Sequence, residues 1–106
     1  MKVGIIISVN DDETCWNAFR LANYSLGQKD DVRIFLMGKG VEYQSTSTSK
    51  FDAVEQAETF LANGGKMLAC GTCIKSRQQK ENEMCPLSTM KDMYEIVRDC
   101  DKVVSF

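Results

Sequence analysis

Three short apolar runs, separated by stretches of helical periodicity, most strongly restrict the folds open to this chain. They cover residues 2–9, 32–37 and 66–70, and each has the length of a buried strand rather than of a helix. The stretches between them repeat apolar residues at helical spacing. Strands that alternate with helices predict parallel pairing and right-handed crossovers. We therefore expect a three-layer α/β/α fold with a mostly parallel sheet of four to five strands and a Rossmann-like topology.

The other regular segments follow from caps and periodicity. Helices are predicted from about Glu13 to Leu26, from about residue 51 to 63, and after a cap at Ser88 or Thr89, with a last strand at 103–106. Residues 38–50 are predicted as a long polar loop of the kind that often forms a lid, and residues 74–87 as a polar segment. Gly38-Lys39-Gly40 is more typical of a turn than of a phosphate cradle, because no P-loop pattern surrounds it.

The order of the strands bears on which loops meet. We expect the order 2-1-3-4, which places the reversal of the sheet between the first and third strands. This order would bring Asn10 and Asp11, which follow the first strand, next to Cys70 and Gly71, which end the third. Asn10 is therefore included among the residues expected to support the site.

Composition narrows the classes of function. The chain has 106 residues, of which 43% are hydrophobic and 26% charged, as expected for one globular domain over residues 1–106. The net charge of −2 and the pI near 5.1 argue against nucleic-acid binding. No apolar run reaches the roughly 20 residues of a membrane span, and residues 1–7 fit a strand better than a signal peptide. We expect a cytoplasmic protein that binds neither nucleic acid nor membrane.

The cysteine content points to thiol chemistry. The chain has five cysteines and no histidine, which excludes Cys–His and Ser–His–Asp catalysis. Without a signal peptide, cysteines favour reduced thiols that act in catalysis, bind metal or are simply buried. Cys15 and Cys100 fall on apolar helical stripes, the latter with Met90, Met93 and Val97, and both are predicted to be core residues.

A cysteine at the end of the third predicted strand is the strongest candidate for a reactive group. In α/β folds, ligands and reactive groups collect at the carboxyl ends of the strands, where Cys70 lies. Gly71 and Thr72 would supply backbone N–H groups, and Lys75 and Arg77 would add cations. We expect these groups to lower the pKa of Cys70 from about 8.5 into the range of about 5–7.5 and to make it the most reactive thiol.

Two further cysteines are potential partners of this thiol. Cys73 forms a CxxC pair with Cys70, and Cys85 lies in the polar segment that follows. Each is a candidate resolving thiol, metal ligand or structural residue. Thioredoxin-like chemistry is disfavoured, because no proline is placed to provide a cis turn beside the pair. The four thiols of Cys70, Cys73, Cys85 and Cys100 lack the second CxxC of a strong zinc motif, so we predict no metal and no cofactor.

The pattern resembles that of the DsrE/DsrF-like family of small sulfur-relay proteins. The similarity is carried by residues 3–9, by residues 67–77 around Cys70, and by residues 88–106. It implies that the cysteine at the end of a central strand, here Cys70, accepts sulfane sulfur as a persulfide and passes it on. It also implies assembly into dimers, trimers or hexamers. The chain departs from better-known members by carrying Cys73 and Cys85 as well.

We therefore expect a sulfur carrier that receives sulfur on Cys70 from a donor protein and hands it to an acceptor thiol. Any enzymatic activity would be that of a sulfurtransferase acting through a cysteine persulfide. Two alternatives remain: a thiol–disulfide or redox-sensing protein that uses Cys70 with Cys73 or Cys85, and a binding module for a soft metal or small ligand. We also expect a homo-oligomer, because the last strand is short, apolar and at an edge.

Overall fold

The computed structural model, which describes residues 1–80, 82, 84 and 86–106, contains a five-stranded parallel sheet. The strands are β1 (Lys2–Ile7), β2 (Asp31–Leu36), β3 (Lys66–Cys70), β4 (Leu87–Ser88) and β5 (Lys102–Ser105). Helices cover both faces of the sheet, so the predicted three-layer α/β/α fold is confirmed. The three apolar runs of the sequence form the three central strands.

The predicted strand order was wrong. The strands lie in the order β4-β3-β2-β1-β5, so β2 separates β1 from β3. The order reverses between β1 and β5 instead, where Val3 pairs with Lys102. Helical and strand periodicity are local signals, whereas the choice of neighbour depends on how apolar faces match across the sheet. The expected contact between Asn10 and Cys70 therefore does not arise from adjacent strands.

The helices are α1 (Asp12–Gly27), α2 (Tyr43–Thr46), α3 (Ala53–Ala62), α4 (Gly71–Ser76) and α5 (Met90–Asp99), with a 3-10 turn at Gly38–Glu42. The first helix begins where the acidic cluster after β1 predicts it. The Asp11 carboxylate accepts hydrogen bonds from the Thr14 backbone N–H at 2.9 Å and from the Thr14 hydroxyl at 2.7 Å. These bonds satisfy free groups of the first turn, which is the role of an N-cap.

One face of the sheet is closed by α1 and α3 and holds most of the core. Ile5 of β1 and Ile34 of β2 are completely buried there, together with Phe19 of α1 and Phe60 of α3. Successive residues of a strand point to opposite faces of the sheet, so every second residue lies on this face. We call this layer the closed face.

The opposite face is covered by α5, and we call it the thiol face. Its buried residues are Phe35, Cys70 and Ile96, with Met93 and Cys100 partly buried beside them. Gly4 allows α5 to approach β1, because a Cβ atom there would lie 2.5 Å from Cγ2 of Ile96. The described part of the chain contains no helix that is both long and apolar enough to cross a membrane.

The segment predicted as a long polar loop is instead folded. Gly38 has a φ of +53° and begins the 3-10 turn, which confirms the turn assignment at this site. Tyr43 follows in α2, is completely buried, and donates a hydrogen bond from its hydroxyl to the Met84 carbonyl at 2.7 Å. The side chain stacks at an angle on Phe19. A single buried aromatic residue among polar ones leaves no periodic signal in the sequence, which explains the missed helix.

Two elements near the cysteines were also missed, namely α4 and the two-residue strand β4. Both are shorter than the windows in which periodicity can be recognised. The predicted stripe of α5 was wrong in part: Ile96 is its buried residue, whereas Met90 and Val97 are 59% and 52% exposed.

Candidate functional site

Cys70 is the last residue of β3 and directly precedes α4. Its side chain lies on the thiol face against Phe35 and Ile96, and only 8% of the residue is exposed. The Cys70 sulfur accepts a hydrogen bond from the backbone N–H of Cys73 at 3.4 Å. The residue thus occupies the N-cap position of α4, with its sulfur in the place of the usual capping oxygen.

The expectation that Cys70 has a lowered pKa was wrong. Burial raises the pKa of the Cys70 thiol, and the adjacent Cys73 side chain raises it further by a hydrogen bond and by its charge. The backbone N–H groups of Cys73 and Thr72 oppose this effect, as expected from the sequence, but they do not overcome it. The cost of burial depends on Phe35 and Ile96, which lie far from Cys70 in the sequence and could not be placed beside it in advance.

Cys73 lies in the first turn of α4 and is more exposed than Cys70. Its sulfur accepts a hydrogen bond from the backbone N–H of Gly38 at 3.2 Å. Gly38 belongs to the 3-10 turn after β2, so two strand ends meet at this sulfur. This contact joins the turn after β2 to the first turn of α4. The contact also holds the Cys73 side chain next to Cys70.

Both thiols border one open cavity of about 490 Å³. Its wall is formed by the ends of β3 and β4 and the first residues of α4 and α5: Cys70, Gly71, Thr72, Cys73, Lys75, Ser88, Thr89 and Met90. Lys75 is exposed and contributes the only cationic side chain among the described residues of this wall. Three of the predicted supporting residues, Gly71, Thr72 and Lys75, and both predicted catalytic residues therefore line it, whereas Arg77 and Asn10 lie elsewhere.

The cavity is therefore large enough for a small sulfur compound or for the end of a partner's cysteine side chain. The cationic side chain in its wall favours the binding of an anionic ligand.

Arg77 and Asn10 take part in the site only indirectly. The Arg77 guanidinium pairs with the Glu42 carboxylate and donates a further hydrogen bond to the Cys73 carbonyl at 3.2 Å. Asn10 donates its side-chain N–H to the other Glu42 oxygen at 3.2 Å. The pKa of Glu42 is lowered, first by the hydrogen bond from Arg77 and then by that from Asn10. Arg77 therefore does not act as the predicted cation beside the thiolate, because its guanidinium group is held at the end of α4 by the ion pair with Glu42.

The remaining cysteines separate into different environments. Cys15 is completely buried on the closed face, donates its S–H to the Val9 carbonyl at 3.3 Å, and has its pKa raised by burial to about 11. This confirms its assignment to the core. Cys100 is partly buried on the thiol face, and burial raises the pKa of its thiol too. Cys85 lies outside the described residues, and within those residues no three metal-ligating side chains converge.

Sequence reasoning missed Gly38, Ser88 and Met90 as neighbours of the thiols. Gly38 was recognised only as a turn, and Ser88 only as a possible helix cap. Ser88 donates its hydroxyl to Asp92 of α5, which helps to hold the start of this helix against the cavity. They share a position at or shortly after the end of β2 or β4, and the carboxyl ends of parallel strands meet at one edge.

A buried cysteine at the carboxyl end of a parallel strand, with a second thiol beside it and a cavity in front, defines a small α/β/α protein with a thiol site. The chain belongs to the DsrE/DsrF-like family, whose sequence profile matches residues 1–106. It therefore has a fold of the sulfur-relay type.

Comparison with known proteins gives the same fold over the whole chain. The crystal structure of the YchN protein from E. coli superposes with a TM-score of 0.83 at 21% identity and covers 100% of both chains. An uncharacterized protein of Methanocaldococcus jannaschii is 29% identical over 114 aligned positions that cover 100% of both chains. An uncharacterized protein of Methanopyrus kandleri is 29% identical over 100 positions, covering 89% of this chain and 83% of that protein.

Proposed function

We propose that this protein is a cytoplasmic sulfur carrier that accepts sulfane sulfur as a persulfide on Cys70 and passes it to an acceptor thiol. The observation that supports this most is the position of the Cys70 sulfur at a strand end. There it borders a cavity and accepts a hydrogen bond from a backbone N–H group. Membership of the DsrE/DsrF-like family supports the same chemistry. Donor and acceptor are taken to be thiol proteins, since sulfur must arrive and leave bound to sulfur.

The transfer consists of two thiol exchanges. The Cys70 thiolate attacks the outer sulfur of a donor persulfide, the new bond forms at the Cys70 sulfur, and the donor leaves as a thiolate. An acceptor thiolate then attacks the outer sulfur on Cys70, which leaves as a thiolate in turn. In each exchange one S–S bond forms and one breaks, so no external oxidant or reductant is needed.

Three features of the site serve these exchanges. The backbone N–H groups of Cys73 and Thr72 stabilise the Cys70 thiolate both as attacking group and as leaving group. Lys75 at the cavity wall attracts an anionic donor. Phe35 and Ile96 pack behind the Cys70 sulfur, so that an added sulfur atom extends into the cavity.

The raised pKa of Cys70 predicts the pH dependence of loading. Only the thiolate attacks, and burial keeps Cys70 in the thiol form to a higher pH than usual. The rate of loading should therefore keep rising as the pH increases through the neutral range into the alkaline range. Single-turnover loading with inorganic polysulfide, followed by intact mass, measures this profile. A plateau already reached below neutral pH would contradict the described environment of Cys70.

Loading also tests the site directly. After incubation with polysulfide, peptide mapping should find one added sulfur atom on Cys70 of the wild-type protein. Cys70→Ser should abolish this gain, whereas Cys73→Ser should only reduce the initial rate of loading. Cys100→Ser is the matched control on the same face and should load normally. If Cys73 gained sulfur first while Cys70 stayed unmodified, the assignment of the carrier thiol would be wrong, and a Cys73→Ser protein that gained no sulfur on Cys70 would refute the carrier function.

We further propose that the protein works as a homo-oligomer assembled through α5 and β5. All four residues of β5 are exposed although it is a parallel strand, which is normally covered on both faces. Tyr94 and Val97 of α5 are 60% and 52% exposed beside it, and Val104 is exposed as well. The same surface of a second copy offers matching apolar area, as an isologous dimer requires.

Light scattering on the purified protein tests the assembly. The wild-type protein should be oligomeric at micromolar concentration, and Val97→Glu should shift it toward the monomer because a carboxylate would be buried in the interface. Leu21→Glu is the control, since Leu21 is an exposed residue of α1 on the closed-face side. A monomeric wild-type protein would refute the proposal.

A further inference from the structure

We propose that Cys73 discharges the Cys70 persulfide by attacking the Cys70 sulfur, which releases hydrosulfide and leaves a Cys70–Cys73 disulfide. This rests on the proposed persulfide on Cys70 and gives that persulfide a second fate besides transfer to an acceptor. When no acceptor is bound, the protein would then reduce the sulfane sulfur and release it as hydrosulfide. A dithiol reductant would restore the two thiols for the next cycle.

The placement of the two sulfurs carries the inference. Cys73 lies three residues after Cys70, so the two side chains fall on the same side of the first turn of α4. The backbone N–H of Cys73 donates to the Cys70 sulfur at 3.4 Å, and both thiols border the same cavity. Helical i, i+3 pairs have Cβ atoms about 5–6 Å apart, so a small closure of this first turn toward roughly 3.5–4.5 Å completes the disulfide.

The Gly38 N–H group orients Cys73 for this attack. It donates to the Cys73 sulfur at 3.2 Å from a different strand end, so the sulfur is held beside Cys70 rather than turned into solvent. The Arg77 side chain fixes the same turn from the other side through the Cys73 carbonyl.

Geometry and leaving group both direct the attack to the inner sulfur. Phe35 and Ile96 pack behind Cys70, so the outer sulfur of a persulfide must extend into the cavity, while the inner sulfur stays next to Cys73. Attack on the inner sulfur expels hydrosulfide, whereas attack on the outer sulfur expels the Cys70 thiolate. Burial makes the latter a stronger base, and the weaker base leaves faster.

The electrons balance within the step. The Cys73 thiolate supplies an electron pair to the inner sulfur, the S–S bond of the persulfide breaks, and its pair leaves with the outer sulfur as hydrosulfide. The sulfane sulfur is reduced and the two cysteines are oxidised to a disulfide. The only co-reactant is the dithiol that later reduces this disulfide.

The test follows sulfur after loading. Reduced protein is loaded with inorganic polysulfide, desalted rapidly, and held without any acceptor while released sulfide and intact mass are recorded. The wild-type protein should lose its added sulfur as one equivalent of sulfide and lose two hydrogen atoms in the disulfide. Cys73→Ser should keep the persulfide roughly tenfold longer or more, because an intramolecular attack has been removed.

Controls separate this inference from the proposed carrier function. Cys100→Ser should discharge like the wild-type protein, and Cys73→Ala replaces Cys73→Ser if the serine variant has a lower melting temperature. If the wild-type protein and Cys73→Ser both load on Cys70 but release sulfide equally slowly, the inference fails and the carrier function stands. Migration of the added sulfur to Cys73 without release of sulfide would also overturn it. If no variant with Cys70 loads at all, the carrier function fails first.

Discussion

The closed face and the thiol face of the sheet are built from the same strands but have different roles. On the closed face, two helices bury Phe19, Phe60 and their neighbours completely. On the thiol face, α5 buries Ile96 and leaves Tyr94 and Val97 exposed. The first face therefore provides stability, whereas the second leaves space at the strand ends for a reactive thiol. The difference shows that a small sheet can place most of its core on one face and its reactive thiol on the other.

Truncation of a core residue on the closed face should have the largest effect. Phe60 is completely buried, and its ring packs on the backbone of Gly65, where a Cβ atom would lie 2.3 Å from the ring. Phe60→Ala should lower the free energy of unfolding by about 3–5 kcal/mol. Met90→Ala at the exposed start of α5 should change it by no more than about 0.5 kcal/mol. Urea unfolding measures both, and equal losses would remove the proposed difference between the faces.

Adding a methyl group between α5 and the sheet should have an intermediate effect on stability. A Cβ atom at Gly4 would lie 2.5 Å from Cγ2 of Ile96 and 3.3 Å from the sulfur of Cys100. Gly4→Ala should therefore cost about 1–3 kcal/mol of unfolding free energy by overpacking. Combined with Ile96→Ala, it should cost less than the sum of the two single variants, since the clashing methyl group is gone. Strict additivity would show that α5 does not rest on β1 in this way.

The smallest effect concerns the thiol that is sealed in the closed face. The pKa of Cys15 is raised by burial from 9.0 to about 11. Between these values the unfolded chain has released the proton and the folded chain has kept it, so stability due to this group is present below pH 9 and is lost as the pH rises toward 11. Cys15→Ala should show a shallower fall of unfolding free energy over that interval. Identical slopes would mean that Cys15 is accessible to solvent.

Local signals in the sequence were enough to locate most of the elements that build the site. The three apolar runs became β1, β2 and β3, and β3 has the predicted bounds Lys66–Cys70. Asp11 caps α1 as expected from its position before an amphipathic stretch. The location of Cys70 at a strand end followed from these same local patterns, because a strand and its termination depend on residues close in the chain.

Contacts between distant segments decided the rest. The strand order, the burial of Tyr43 and the Gly38 N–H group on the Cys73 sulfur each join residues that are far apart in the sequence. The pKa of Cys70 belongs to the same class: nearby N–H groups favoured ionisation, but the packing of Phe35 and Ile96 from other elements raised the pKa instead. The sequence by itself thus determined where the three central strands lie and that Cys70 ends β3. Only the tertiary structure decided what surrounds them, since burial and long-range hydrogen bonds arise when the chain folds back on itself.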